Sequence, residues 1–398
     1  MSNALSLSQR RALRALSLAY FVQATGALSI AGSLTAISAA WQLTDSQSAR
    51  LLTVFGLTFA LAAPLAQVLF GHYRRRQQVL SGMLLFSLGA FAFALSPGYG
   101  ALIASRVMMG LGAGLIGPVL VALGAELTHE QQRGRAIGIV LLGVSMASLA
   151  GIPLAAWIAS LWGAKVLFAL VGLISLLSGL NILFSVPSGP EGTPIHLADI
   201  AGVLRKGEYL SAFLVVFFIT AGVYSFYSFI APLIRDTYAG GTHAVSAALT
   251  VLGVAGVLGN LYVTRAAARL SAEKLLITGM LLLIMDTALI TMLPKILSIL
   301  LLALVVWAFA TDMLWPSQQR RVVELSSTKL RGVALALTSA FMFGGIGFGS
   351  AVAAWIYPLA GFYGLTGISV AFILMALLCL RLSERLRKLP ASEQAAPQ

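Results

Sequence analysis

The sequence predicts an all-α polytopic membrane protein: twelve transmembrane helices in two pseudo-symmetric six-helix bundles. Three observations carry this expectation. The chain is 59% hydrophobic and 10% charged, with a mean hydropathy of +0.93, whereas soluble domains carry about 25% charged residues. A skeleton of residues recurs 198 positions apart in a chain of 398. The first copy is Pro118, Glu126, Arg133-Gly134, Ala136, Gly151 and Ala156-Trp157-Ile158; the second is Pro316, Glu324, Arg331-Gly332, Ala334, Gly349 and Ala354-Trp355-Ile356. Such an offset marks one half of the chain as a duplicate of the other. Finally, Arg and Lys concentrate in alternate loops, as they do on one side of a membrane.

Segments of roughly 20 apolar residues each suffice to cross the hydrocarbon core. They fall at 17–40, 49–70, 79–97, 100–125, 137–161, 165–186, 209–235, 244–264, 274–293, 296–322, 333–357 and 363–383. Turns such as Pro97-Gly98-Tyr99-Gly100 and Leu293-Pro294-Lys295 join them on one side. The longest connection, with Pro187, Pro190 and Pro194, lies between the sixth and seventh spans. The chain therefore divides into an N-terminal bundle at 1–186, a cytoplasmic linker at 187–208 and a C-terminal bundle at 209–398 with a short tail. Within the linker, His196 to Lys206 reads as a short surface helix. The tail after Leu389 is small and polar, the composition of disorder. Arg10, Arg11 and Arg14 precede a full-length apolar segment rather than the short one of a cleavable leader.

The net charge of +13 is a topology signal. Arg10, Arg74, Arg75, Arg76, Arg133, Arg269 and Arg385 all fall on the side that holds both termini, which the basic bias makes cytoplasmic. Basic loops beside a membrane explain the charge without a nucleic-acid partner. The lone Cys379 excludes an internal disulfide, and the four histidines have no metal-ligand spacing. No Gly-x-x-x-x-Gly-Lys sequence or nucleophile–base arrangement is present, so neither ATP coupling nor an enzyme is expected. The expected cofactor is none, the expected partners are a small-molecule substrate, protons and the bilayer, and the expected state is a monomer.

Glu126 and Glu324 stand at helix C-termini, and Arg133 and Arg331 at N-termini. Each opposes its helix dipole and needs a compensating partner. The expectation is that both glutamates bind Arg or Lys at the ends of neighbouring helices, latching the inner face in one state; solvated loop charge is the bland alternative. Gly110, Gly112, Gly114 and Gly117, and Gly344, Gly345, Gly347 and Gly349, allow helices to pack closely and to rock.

These residues bring a family into view. The chain resembles the major facilitator superfamily, and within it the bacterial twelve-span drug:proton antiporters that include sugar-efflux and arabinose-efflux-like permeases. Leu102-x-x-x-Arg106-x-x-x-Gly110-x-Gly112-x-Gly114 is similar to the superfamily's fourth span, and Gly143 to Gly151-Ile152-Pro153 resembles the exporters' antiporter motif. Tyr224-x-x-Tyr227-x-x-Ile230-Ala231-Pro232, Gly253-x-x-Gly256-x-x-Gly259-Asn260 and Pro316-x-Gln318-x-Arg320 fit the same branch. The resemblance makes Gly151 and Pro153 conformational elements. Two departures stand out. The loop after the second span lacks the family's aspartate and reads Gly71 then Arg74-Arg75-Arg76. The first span offers Gln23-Ala24-Thr25-Gly26-Ala27 and no acid.

Ionisable groups inside a membrane are costly and become functional candidates. Arg106, Asp286 and Asp312 qualify. The resemblance places spans one, four, seven and ten around a central cavity, which Arg106 and Asp312 then face, while Asp286 lies on an outer helix in a structural role. Asp312 is the candidate proton carrier, against the alternative of an acid locked by hydrogen bonds. Arg106 has two open roles, in substrate or proton coupling or in pairing with backbone carbonyls. Gln23, Tyr224, Tyr227 and Asn260 are candidate cavity-lining residues. The function expected is alternating-access export of a small organic compound (a drug, sugar or metabolite) by proton antiport across a bacterial inner membrane. A proton-coupled uptake symporter or facilitator, and a non-transporting membrane sensor or scaffold, are the alternatives.

Overall fold

The structure, a computed structural model, describes residues 5–129, 132–189, 191, 196–267, 269–326 and 331–388. Their helices run in the order α1 (Leu7–Trp41), α2 (Asp45–Phe70), α3 (Arg75–Ala94), α4 (Tyr99–Glu126), α5 (Arg133–Met146), a π turn (Ala147–Gly151), α6 (Ile152–Ser185), α7 (Leu197–Leu204), α8 (Gly207–Tyr227), α9 (Ile230–Tyr238), α10 (Thr242–Ala266), α11 (Ala272–Met292), α12 (Leu297–Leu325) and α13 (Arg331–Lys388).

Local sequence sets the ends. Ser6 and Gln9 form a capping box at the start of α1, and Thr44 and Gln47 form another at α2, each satisfying backbone donors that the helix leaves unpaired. The expected linker helix is present as α7, with Asp199 accepting from the His196 backbone N–H. The tail beyond 388 lies outside the described residues.

Ten helical stretches among the described residues are long and apolar enough to cross a membrane. Two of them, of 51 and 55 residues, would extend roughly 77 and 82 Å at the helical rise, far beyond a ~30 Å core. Each folds back at a glycine: Gly163 at φ 84 and Gly361 at φ 55. These backbone conformations are cheap only without a Cβ. Both stretches thus supply two crossings, and the chain makes the twelve that its hydropathy predicts. The seventh span differs from the expectation of one continuous helix: α8 ends at Tyr227 and α9 begins at Ile230.

The core is divided as the repeat suggests. One apolar cluster includes Leu13, Phe55, Phe86, Leu120 and Phe168; a second includes Val215, Phe226, Leu283, Leu304 and Trp307. The halves meet along two small-residue crossings. A Cβ at Gly56 of α2 would lie 2.7 Å from the Phe343 carbonyl oxygen of α13. One at Gly253 of α10 would lie 2.8 Å from the Ser148 carbonyl oxygen of the π turn. Beside the first crossing, the Phe59 and Phe343 rings approach to 3.9 Å between centroids.

The face opposite the basic loops ties the halves together. Arg235 of α9 donates to Asp45 of α2 at 2.6 Å and to Asp236, whose other oxygen accepts from the Tyr357 hydroxyl at 2.7 Å. Ser350 of α13 donates to the Ala49 carbonyl at 3.1 Å. Leu34, Ala49, Phe229, Ala353 and Leu365 form an apolar plug drawn from both halves.

Candidate functional site: a cavity between the halves

Helical spacing puts Ala308, Asp312 and Trp315 on one face of α12, and all three line a cavity of about 90 Å³. Both halves build its walls. Leu28 of α1, Ser148 of the π turn and Ile152 of α6 come from one; Tyr224 and Tyr227 of α8, Gly253 of α10 and Trp307 of α12 come from the other.

Asp312 is half-buried. Among the described residues no hydrogen bond or ion pair engages its carboxylate, and the cavity lining includes no Lys or Arg. Its position depends on α10, since a Cβ added at Gly256 would collide with the carboxylate. Among the described residues, two more polar groups of the lining lack partners: the Trp307 indole Nε1 and the Thr311 hydroxyl, both buried. Aromatic rings complete the wall. Tyr224 and Tyr227 meet edge to face at 5.4 Å, and Tyr227 lies parallel to Trp307 at 6.3 Å.

The π turn follows from Pro153. Proline has no N–H to donate, and its ring crowds the carbonyl four residues earlier, that of Leu149. The ladder widens over Ala147–Gly151, a local rewinding common at functional positions. Gly151 sits against Thr25 and Phe21 of α1. The Gly-Ile-Pro segment is thus where α5 bends into α6, and Ser148 and Ile152 reach the cavity from it.

The sequence-predicted residues do not all meet here. Asp312, Tyr224 and Tyr227 do. Gln23 is buried on α1 and Asn260 half-buried on α10, and neither is among the residues lining the cavity. Arg106 corrects the expectation that it faces the cavity. It is wholly buried, donating to the carbonyls of Leu51 at 3.2 Å, Gly26 at 3.1 Å and Ala27 at 2.9 Å. Its guanidinium carbon lies 4.6 Å from the Phe55 ring centroid. Five donors in a planar fork can saturate carbonyls on two helices at once, so Arg106 staples α4 to α1 and α2.

On the basic face, Glu126 at the end of α4 pairs with Arg75 of α3 at 3.1 Å. Arg76 donates to the Leu183 carbonyl and to Ser188. The arginine run that lacks its aspartate therefore clasps α4 and the end of α6. Glu324 departs from the expected contact with a neighbouring helix: it bonds Arg320 one turn earlier in α12 at 2.7 Å. Arg320 in turn donates to the carbonyls of Ala267 and Leu270 that follow α10. Arg133 opens α5 and is exposed; the side chain of Arg331 lies outside those described. Between α1 and α5 a cleft of about 570 Å³ is lined by Arg10, Arg14 and Arg135 with Leu18, Phe21 and Met146.

Two further charged groups are buried. Asp286 of α11 is 6% exposed, and its Oδ2 lacks a partner among the described residues. Arg321, beside Arg320 at the basic end of α12, is 1% exposed. It donates to Ser383 at 2.6 Å and lies 3.7 Å from Glu273. Sequence reading also missed Trp307, Trp315 and the Asp45–Arg235 pair, and gave Gly256 only as part of a motif. The helical register around Asp312 was the available signal for Trp315. Asp45 and Arg235 are 190 residues apart and outside the repeat, so nothing local connects them.

Two helical bundles that pack along small-residue crossings and enclose a cavity at their interface define a membrane transporter. The chain belongs to the Major Facilitator Superfamily, whose sequence model matches residues 16–294 and 212–398. It is similar to the inner membrane transport protein YdhP of Escherichia coli (strain K12), 26% identical over 346 residues covering 86% of each chain. A chloramphenicol resistance protein of Streptomyces lividans is 26% identical over 274 residues, 68% of this chain and 70% of that one. A probable sugar efflux transporter of Helicobacter pylori (strain ATCC 700392 / 26695) is 23% identical over 348 residues, 87% and 88% of the two. The fold is shared with the inward-facing, occupied crystal structure of a bacterial homologue of the human lysosomal transporter Spinster. The TM-score is 0.69 at 16% identity, covering 99% of this chain and 100% of that one. The protein is therefore a multi-pass membrane transporter and not an enzyme, and its relatives include efflux proteins.

Proposed function

We propose that this chain is a monomeric exporter of small organic compounds that exchanges its substrate for protons across a bacterial inner membrane, with the basic face and both termini in the cytoplasm. One observation carries the reading: Asp312, a carboxylate with no protein partner among the described residues, projects into a cavity that both halves wall. An unpaired acid inside a membrane protein is costly unless it takes a proton or a ligand. A carboxylate that takes either, but not both, couples their movements. The proton gradient is then the only energy source, and no cofactor is needed.

The alternating motion uses the two faces. The Asp45–Arg235 tie and its apolar plug hold the outer end shut. The π turn and the glycine crossings supply the surfaces on which the halves rock. Arg75–Glu126 braces the inner ends of α3 and α4 within one half, so latching the inner face requires Glu126 to exchange this partner for one on the other half as that face closes. The efflux relatives support the outward direction. Everted membrane vesicles with a respiration-driven pH gradient test the reading. Addition of a transported compound should dissipate the gradient in vesicles holding the wild-type chain. A broad panel of drugs, sugars and metabolites that leaves the gradient unchanged would overturn it.

A further inference from the structure

The cavity at Asp312 favours one substrate class. Its one formal charge is negative, and the lining includes no basic side chain to neutralise it. An anionic ligand would face like charge at close range in a poorly screened site. A neutral polyol would find hydrogen-bond partners but leave the buried charge uncompensated. A cation would neutralise it. The aromatic lining agrees. Tyr224, Tyr227, Trp307 and Trp315 line the same cavity as the carboxylate, and aromatic rings attract organic cations, tryptophan most strongly. The parallel Tyr227 and Trp307 rings give this wall a fixed geometry. Size adds a limit. A cavity of about 90 Å³ is well below the ~300–1,000 Å³ of a drug-sized pocket. It admits the charged end of a ligand rather than a whole drug-sized molecule.

We propose that this cavity binds the cationic head of an organic amine or quaternary ammonium compound, with Asp312 as the counter-ion and the aromatic rings as the cage. The proposal rests on the exporter reading and adds the substrate's charge to it. Cation and proton then compete for the same carboxylate.

Isothermal titration of the purified full-length chain in nanodiscs tests this with three probes: phenyltrimethylammonium, benzenesulfonate and glucose. The expected result is that phenyltrimethylammonium binds tightest, and more weakly as the pH falls. Asp312→Asn should weaken it at least tenfold, about 1.4 kcal/mol, and remove the pH dependence. Asp312→Glu should retain binding. Trp307→Leu should weaken it roughly fivefold, and Asp286→Asn, the other buried acid, should leave it unchanged. Melting temperatures close to wild type show that these variants are folded. Failure of phenyltrimethylammonium to bind, tighter binding of benzenesulfonate or glucose, or equal loss in Asp286→Asn would overturn the proposal. Vesicles that exchange protons for a sugar without binding the cation would sink this inference and leave the exporter reading standing. Cation binding without any compound-driven proton flux would do the reverse.

Discussion

Helices α4 and α12 are repeat-related, and each carries a charge within its apolar span, Arg106 wholly buried and Asp312 half-buried. Arg106 is saturated: three backbone carbonyls accept from its guanidinium and an aromatic ring covers it. Asp312 is open: no described residue engages its carboxylate, and it faces a cavity that both halves share. Burial alone therefore does not mark a site. A charge whose bonds are all filled by the protein is a structural element, and one whose bonds are empty is available to something that comes and goes. The positions that match them in the repeat, Leu304 and Gly114, carry no charge at all. The shared skeleton built two bundles, and each half then acquired its charge for a different purpose.

Removing Arg106 should have the largest effect on the fold. Arg106→Leu leaves three carbonyls without their donors and should cost ~2–4 kcal/mol, seen as loss of monodisperse protein or a large fall in melting temperature. Arg106→Lys should rescue little, because an ammonium cannot reproduce the fork. A lysine variant as stable as wild type would remove the contrast between the two charges.

Crowding the open charge comes next. Gly256→Ala places a methyl against the Asp312 carboxylate and should cost ~1–3 kcal/mol of packing or displace the side chain. Compound-driven proton flux should drop several-fold while the protein still purifies folded. Unchanged flux would mean that the carboxylate's position is unimportant.

The tie at the opposite face should give a smaller effect. Arg235 and Asp45 are partly exposed, so Arg235→Gln should cost only ~0.5–1 kcal/mol. That suffices to shift an open–closed equilibrium up to roughly fivefold. A cysteine introduced by Ala49→Cys, in the plug, should then react faster with an impermeant maleimide. The smallest effect is expected at Arg75–Glu126, an exposed pair at 3.1 Å. Glu126→Gln should change stability by less than ~1 kcal/mol and should slow reaction of that same cysteine if Glu126 latches the inner face.

Most of the fold was legible because hydrophobic length and loop charge are properties of consecutive residues. The twelve crossings and the linker helix came from them directly. The break between α8 and α9 left a signal that hydropathy alone passes over: Pro232, third in α9, has no N–H to donate and its ring crowds the Ser228 carbonyl. The site was legible only in part. Asp312 and the two tyrosines stood out as polar groups on apolar spans. Arg106 stood out for the same reason; of its two open roles the structure shows the pairing with backbone carbonyls, and only its facing the cavity was misplaced, because one sequence does not show which helices supply those carbonyls. Glu324 was expected to reach a neighbour, yet Arg320 one turn away already satisfies it. Arg321 sat in a basic run next to Arg320, and only packing against α11 and the end of α13 takes it out of solvent.

The central claim is that the unsatisfied charge facing the shared cavity is the working one. Proteoliposomes holding purified wild-type chain or Asp312→Asn, under the same pH gradient and with the same transported compound, test it most directly. The account predicts that Asp312→Asn melts near the wild-type temperature while its compound-driven proton flux falls to the level of protein-free liposomes. Wild-type flux from folded Asp312→Asn would contradict it.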